Sequence, residues 1–288
     1  MIAVASDLRG TARREIDATG EYVLPGLLDV HTHPLYVNDV TSLSRSAAYG
    51  GITTVIYYAY AERGRSAITT AKEAVEVIAQ AKARGWRVYG ETCPQYLTLT
   101  GEEIFRQGPL AKIGPPLRRK EDQEALWRGL TQGVLDVIAS DHAPKEKKKT
   151  DDFFQAAYGS PQVETMVEVV YETGVNGGKI TLPRLVQVMS ENPAKIFGLY
   201  PRKGALAVGS DADLVIFDPQ LEHTITGEEQ HSNAPYTLYE GWRCLGRPVF
   251  SLQRGEVILE EGEVVAEAGR GKFLPTQAGK VDPKEHVL

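Results

Sequence analysis

The chain has 288 residues, of which 42% are hydrophobic and 24% charged, as is ordinary for a globular protein of one large or two modest domains. The net charge of −6 and the lack of a basic stripe argue against a nucleic-acid surface. No stretch approaches the roughly 20 apolar residues of a membrane span, and the N-terminus does not resemble a signal peptide. With only Cys93 and Cys244, we expect a cytoplasmic protein without disulfides.

Strand-like and helix-like segments alternate along the first half of the chain. The predicted strands are rich in β-branched and aromatic residues and cover residues 1–5, 22–30, 53–60, 87–91 and 134–139. The predicted helices have apolar residues at helical spacing and cover residues 43–50, 69–84 and 121–130. Such alternation predicts an α/β fold with parallel strands. In such folds ligands bind at the C-terminal ends of the strands, where His31, Thr92 and Asp141 lie.

The second half of the chain changes character near Gly204. Before it, the pattern predicts helices over residues 161–173, 182–191 and 193–197, the last with Asn192 as N-cap and Pro193 at its first position. After it, short β-rich segments are separated by turns, at residues 213–217, 223–226, 248–252, 256–259 and 264–266. This part predicts a small all-β unit.

Two histidines, His31 and His33, end the apolar run VLPGLLDVHTHP. Side chains two apart on a strand share a face, so both imidazoles project together and could bind one divalent metal. The alternative is a pair of surface histidines near a turn.

The second signal is Ser140-Asp141-His142-Ala143-Pro144, which follows a predicted buried strand. An aspartate there can bind a metal and act as the general base of metal-assisted hydrolysis. The alternative is an aspartate that caps a loop, with His142 as its hydrogen-bond partner. The two motifs together favour the metal site. Two roles remain open for His142: it orients the aspartate or the substrate, or it is structural.

Cys93 lies beside this region. Its two possible roles are a nucleophile and a small buried residue, and the buried role is favoured because no histidine is near Cys93 in sequence.

Several segments together resemble the cyclic amidohydrolases, the hydantoinases and dihydropyrimidinases with allantoinase and dihydroorotase as relatives. The resemblance covers most of the chain and rests on the segments GLLDVHTHP, GITTVI, GETCPQYLTL, GPPLR, SDHAP, NPAKIFGLYPRKGALAVGSDADLVIFDP and LQRGEVILEEGEVV.

The resemblance implies a (β/α)₈ barrel with a small β-sandwich built from both chain ends. On this basis residues 23–200 form the barrel-type catalytic domain, residues 1–22 and 201–275 the sandwich, and residues 276–288 an extended tail. The family binds two divalent metals, usually zinc, and hydrolyses a ring amide. Its motifs assign His31, His33 and Asp141 as metal ligands, with Asp141 also the general base. They assign Thr92, Tyr158 and Gly159 to the substrate, although the family often has Asn-Gly at the last two positions.

The chain also departs from the family. The family bridges its metals with a carboxylated lysine and adds two histidines from later strands, but no histidine lies between His33 and His142. None of Lys72, Lys82 and Lys112 is a credible bridging lysine. Middle barrel strands and the opening sandwich strands are missing, so the residues encode one zinc site. Three explanations of the missing barrel strands remain open. Another chain covers the open strand edges, the strands form a rearranged open sheet, or the sequence is incomplete.

The sequence therefore predicts a zinc-dependent enzyme that opens a hydantoin or dihydropyrimidine ring. One alternative is an impaired amidohydrolase relative that serves assembly or scaffolding, since the family's lysine and histidines are absent. Another is an allantoinase- or dihydroorotase-like hydrolase. We expect a small cyclic amide as the binding partner, no nucleic acid, no membrane, and a homo-oligomer, either dimer or tetramer.

Overall fold

The computed structural model describes residues 12–33, 40–57 and 71–276 together with Met1 and Val4. The strands are β1 (Tyr22–Pro25), β2 (Leu27–Thr32), β3 (Ile52–Tyr57), β4 (Glu91–Thr92), β5 (Val137–Ile138), β6 (Leu214–Thr224), β7 (Arg243–Gln253), β8 (Glu256–Glu260) and β9 (Glu263–Val264). The α-helices are α1 (Val40–Tyr49), α2 (Ala71–Ala83), α3 (Pro94–Thr98), α4 (Glu103–Gln107), α5 (Lys120–Thr131), α6 (Met166–Val170), α7 (Leu182–Val186) and α8 (Asn192–Ile196). A 3₁₀ turn covers Gly108–Ala111, and π-helical turns cover Tyr171–Asn176 and Gln187–Glu191.

The parallel strands meet side by side in the order β3-β2-β5-β4. β2 pairs with β3 and β4 with β5. The two pairs are joined beyond the end of β5, where the Asp141 amide donates to the His31 carbonyl at 2.8 Å and the His33 amide to the His142 carbonyl at 2.8 Å. The C-terminal ends of β2 and β5 therefore lie next to each other. The alternating pattern predicted the parallel direction of the strands but not this order.

The antiparallel sheet has the order β1-β6-β7-β8-β9. Its edge strand β1 comes from the beginning of the described chain and pairs with β6 from Tyr22 opposite Phe217 to Pro25 opposite Leu214. The single strand predicted over residues 22–30 is therefore wrong, because the chain changes sheets at Gly26. The predicted domain boundary at residue 23 falls inside β1, and the division into domains stays a prediction.

Several predicted elements differ from the observed ones in extent. β4 holds only two residues where residues 87–91 were predicted, and α6 begins at Met166 rather than residue 161. The segment 223–226 is not a separate strand, since β6 runs on to Thr224. Asn192 is not an N-cap, because its backbone is helical and continues the preceding π-helical turn. The predicted strand at residues 1–5 and the tail at 276–288 fall largely outside the described residues.

One hydrophobic core connects the parallel strands with the antiparallel sheet. Its largest cluster contains Leu27 and Ile52 from the parallel strands and Val215 and Phe217 from β6. Polar bonds cross the same boundary, among them Ser251 Oγ to the Ala48 carbonyl at 2.9 Å. None of the helices in the described part of the chain combines the length and the apolar character of a membrane span.

Candidate functional site

His31, His33 and Asp141 converge at the C-terminal ends of β2 and β5. The ligand atoms of the three side chains lie within 4.8 Å of one another. The Nε2 atoms of the two histidines are 3.2 Å apart, and each lies 3.4 Å from Asp141 Oδ1. Two imidazole nitrogens and one carboxylate oxygen form the donor set of a catalytic zinc site, which keeps a further position open. These residues therefore fit a divalent cation.

The backbone places these three side chains together. His31 and His33 are two apart at the end of β2, so they share a face. Asp141 follows β5 with a φ of 51°, in the left-handed region that is uncommon for residues other than glycine. The amides of Val137 and Ala139 donate toward β4, whereas the Asp141 amide donates to His31. The unusual conformation of Asp141 therefore accompanies the turn of the chain toward the histidines, and such outliers concentrate at functional sites.

Glu91 orients His31 from the opposite side of the ring. Its Oε1 lies 2.5 Å from His31 Nδ1, so a proton on Nδ1 leaves the Nε2 lone pair facing His33 and Asp141. Burial lowers the pKa of His31, but the hydrogen bond and charge of Glu91, together with the charges of Asp141 and Asp29, raise the pKa overall. A carboxylate behind a metal-binding histidine is the usual outer-shell arrangement.

Two further polar side chains, Asp29 and Gln95, hydrogen-bond to the segment that carries Asp141. Asp29 is fully buried on β2 and accepts hydrogen bonds from the amide and hydroxyl of Ser140. Burial raises the pKa of Asp29 to about 6, against the lowering effect of the Ser140 bonds. Gln95, at the start of α3, is 1% exposed and donates from Nε2 to Asp141 Oδ2 at 3.2 Å. These contacts fix the carboxylate of Asp141 and tie β2 to β5.

His142 has a structural role in this arrangement. Its ring is 1% exposed, and its Nδ1 accepts from the amides of Gln162 and Val163 at 3.0 and 3.1 Å. Burial lowers its pKa to about 3, so the ring is neutral at physiological pH. His142 thus anchors the turn at residues 162–163 to the strand end.

The residues assigned to the substrate are placed differently from one another. Thr92 is buried on β4, and its hydroxyl has no hydrogen-bond partner among the described residues. Tyr158 is 62% exposed, with its ring 4.7 Å from Lys112 Nζ. Gly159 lies next to the strand end, since the neighbouring Ser160 forms a parallel bridge with His142. The structure thus brings the segment containing Gly159 to the Asp141 loop, while the role of all three toward a substrate stays a prediction.

His223, His231 and Lys82 have partners outside the site. His223 contacts Glu168 at 2.8 Å and His231 contacts Glu164 at 2.8 Å, while His286 lies outside the described residues. Lys82 pairs with Asp136 at 2.7 Å.

Sequence reasoning missed Glu91, Gln95 and Asp29. Asp29 was detectable, because it precedes His31 by two residues and shares its strand face. Glu91 and Gln95 lie in the segment GETCPQYLTL, but nothing in their spacing shows that β4 packs beside β5.

The fold and the site together describe an α/β protein with a candidate metal centre at the ends of parallel strands. The sequence model of the Amidohydrolase family matches residues 102–258, which is more than half of the chain. The chain belongs to the amidohydrolase family.

Within the amidohydrolase family, the chain is similar to hydantoinases and dihydropyrimidinases. The chain is 40% identical over 213 residues to a D-hydantoinase of Ralstonia pickettii, covering 71% of this chain and 46% of that protein. It is 41% identical over 206 residues to an L-hydantoinase of Paenarthrobacter aurescens, covering 70% of this chain and 45% of that protein. The chain thus spans about half the length of these relatives. The crystal structure of a dihydropyrimidinase from Brevibacillus agri superposes with a TM-score of 0.87 at 25% identity, covering 95% of this chain and 92% of that chain. The amidohydrolase fold and the predicted resemblance to hydantoinases are therefore confirmed.

Proposed function

We propose that this protein hydrolyses a cyclic amide, as hydantoinases and dihydropyrimidinases do, with Asp141 as the general base. The observation that carries the proposal is the convergence of His31, His33 and Asp141 within 4.8 Å. The hydantoinase relatives support the substrate class. Both a D-hydantoinase and an L-hydantoinase are similar to this chain. We therefore propose the class of ring that is opened and leave the stereochemistry of the substrate open.

His31, His33 and Asp141 would hold one divalent cation, with zinc the best match to two imidazoles and a carboxylate. Such a cation supplies Lewis-acid polarisation of the carbonyl and lowers the pKa of water. We also propose that the four parallel strands belong to a barrel of the family's kind, and that the protein acts in the cytoplasm as a homo-oligomer.

Asp141 moves the proton in this reaction. The carboxylate accepts a proton from the attacking water, whose oxygen bonds to the ring carbonyl carbon. The same proton passes to the ring nitrogen as the C–N bond breaks, which leaves a carboxylic acid and an open-chain nitrogen. Gln95 holds the Oδ2 oxygen in place during both transfers, since its Nε2 lies 3.2 Å from that oxygen. Glu91 keeps His31 in one tautomer through the 2.5 Å contact to Nδ1.

The test is ring opening of hydantoin and dihydrouracil by the zinc-loaded chain, together with its zinc stoichiometry. The variant Asp141→Asn is expected to lose roughly 10²–10⁴-fold in rate, the usual contribution of a general base. Asparagine tolerates the left-handed backbone of this position, so the fold should survive, which circular dichroism checks.

Asp151→Asn is the matched control, because Asp151 is an exposed aspartate of the same loop whose side chain bonds only the Lys148 amide among the contacts described. Its rate should equal that of the wild type. A chain that binds zinc but opens neither ring, or an Asp141→Asn variant with full activity, would overturn the proposal and favour an assembly role.

A further inference from the structure

His31 belongs to two groups of potential metal ligands. Among the described residues, two sets of three ligand atoms lie within 4.8 Å of one another, namely His31 with His33 and Asp141, and His31 with Glu91 and Cys93. The hydrolysis proposed above uses His31 through Nε2 and uses Glu91 only to orient that ring, so the second set does not act there as a set of ligands. We propose that the Nδ1 atom of His31, Glu91 and Cys93 form a separate site for a thiophilic divalent cation, and that its occupancy excludes occupancy of the first site.

The donor atoms of the second set suit a soft cation. A thiolate, an imidazole and a carboxylate can share a tetrahedral ion, and their donor atoms then lie roughly 3.3–3.6 Å apart. The present His31 Nδ1 to Glu91 Oε1 distance is 2.5 Å, so these two groups separate by about 1 Å when an ion enters. Thiolate ligands select soft cations, whereas the first set offers only nitrogen and oxygen.

Cys93 is buried beside two partly exposed ligands. Cys93 is an unpaired cysteine that is 4% exposed, and no hydrogen bond of its side chain is found in the described part of the chain. His31 and Glu91 have side chains that are 24% and 33% exposed, which gives a path from solvent. When the sulfur binds the ion, the thiol proton leaves to solvent and one S–metal bond forms in place of the S–H bond.

Mutual exclusion follows from the chemistry of a neutral imidazole, which has one lone pair and one N–H group. A cation at Nε2 requires the proton on Nδ1, where it is donated to Glu91. A cation at Nδ1 requires the proton on Nε2, which faces Asp141 Oδ1 at 3.4 Å. A neutral His31 therefore serves one site at a time.

Cadmium is the probe, because its thiolate complexes absorb in the near ultraviolet and report binding without any activity. Titration of the full chain with Cd²⁺ should give a thiolate charge-transfer band that reaches its full intensity at one equivalent of Cd²⁺. Cys93→Ser should lose the band and weaken Cd²⁺ binding by more than the roughly 10–100-fold that loss of an outer-shell partner costs. Cys244→Ser is the matched control, since Cys244 is the other buried cysteine, and it should keep the band.

Two more variants separate this site from the hydrolytic one. His33→Ala removes a ligand of the first site only and should keep the band, whereas Glu91→Gln should weaken Cd²⁺ binding. Zinc-saturated protein should show a weaker apparent Cd²⁺ affinity than the apoprotein, and His33→Ala should reduce that competition. A band that persists in Cys93→Ser, or wild-type protein without a band, overturns the second site. Cd²⁺ and zinc bound together without competition overturns the exclusion. Lack of hydrolysis with an intact band refutes only the proposed function.

Discussion

Gly159 lies where two segments approach too closely for any side chain. Its φ is +112°, and a Cβ built there would lie 2.4 Å from the Ala143 carbonyl oxygen. The Gly159 amide also donates to the Lys112 carbonyl, and its own carbonyl accepts from Tyr236 at 3.2 Å. The residue thus holds the segment before Ser160 against the loop that follows Asp141.

Gly159→Ala is expected to destabilise the protein by about 2–5 kcal/mol, from a left-handed backbone at about 1–2 kcal/mol and overpacking at about 1–3 kcal/mol. Urea unfolding measures the change. Gly178→Ala is the matched control, because Gly178 also has a positive φ but nothing within 4 Å of its Cβ position. An equal loss of unfolding free energy in the two variants would show that the contact of the new methyl group with Ala143 does not destabilise the protein.

Lys147 gives the loop after Asp141 a titrating group. It is 8% exposed, and its Nζ donates to the carbonyls of Leu110 and Lys112 at 2.9 and 3.0 Å. Burial, with a smaller effect of the Lys112 charge, lowers the pKa of Lys147 from 10.5 to about 7. Tyr236, whose ring lies 5.6 Å from Nζ, adds no countercharge at neutral pH.

The stability of the wild type should rise relative to that of Lys147→Met between about pH 7 and pH 10.5. In this window the unfolded chain binds a proton at Lys147 that the folded chain has released, so the free energy of unfolding increases with pH. Below pH 7 both states are protonated and the difference between the two proteins is constant. Unfolding free energies at several pH values check this, and a difference that stays constant across the window would contradict it.

The residues of the candidate site were only partly predictable. His31, His33 and Asp141 carried signals in their residue types and their positions after apolar strands. Glu91 and Gln95 carried none, because their functions depend on contacts with His31 and Asp141, which are 60 and 46 positions away along the chain.

At the scale of elements, Gly26 decides how the first strand region is divided. β1 ends at Pro25 and β2 begins at Leu27, so the chain leaves the antiparallel sheet and enters the parallel one within a single residue. A Cβ at Gly26 would lie 2.1 Å from Thr53 Oγ1 and 2.9 Å from Thr53 Cβ. The close approach of β3 therefore excludes a side chain at the crossing point. The sequence run VLPGLLDV reads as one strand because both halves are apolar, and only packing shows the break.

Gly26→Ala should destabilise the protein by about 1–3 kcal/mol through overpacking. Replacing Thr53 by glycine in the same chain should recover part of that loss, since it removes the atoms that the new methyl group meets. Gly271→Ala, which meets nothing within 4 Å, should leave the thermal midpoint unchanged. Additive effects of Gly26→Ala and Thr53→Gly would rule out the proposed clash.

The whole molecule is expected to unfold as one cooperative unit, although two structural units were predicted. Leu27, Ile52, Val215 and Phe217 belong to one buried cluster, and Gln253 Nε2 donates to the Thr53 carbonyl at 3.0 Å. Neither sheet can lose its partner without exposing this shared core. Tryptophan fluorescence, far-ultraviolet circular dichroism and calorimetry should give coincident transitions. Two resolved transitions would show that the sheets are stable independently.

The sequence by itself determined the α/β class, the position of most helices and the three clustered side chains, because these follow from hydrophobic periodicity and from residue types next to strand ends. Tertiary structure alone decided the break at Gly26, the shortness of β4 and β5, and the supporting contacts of Glu91, Gln95 and Asp29. Periodicity reports which face of a segment is buried, but it carries no information on which distant segment covers that face.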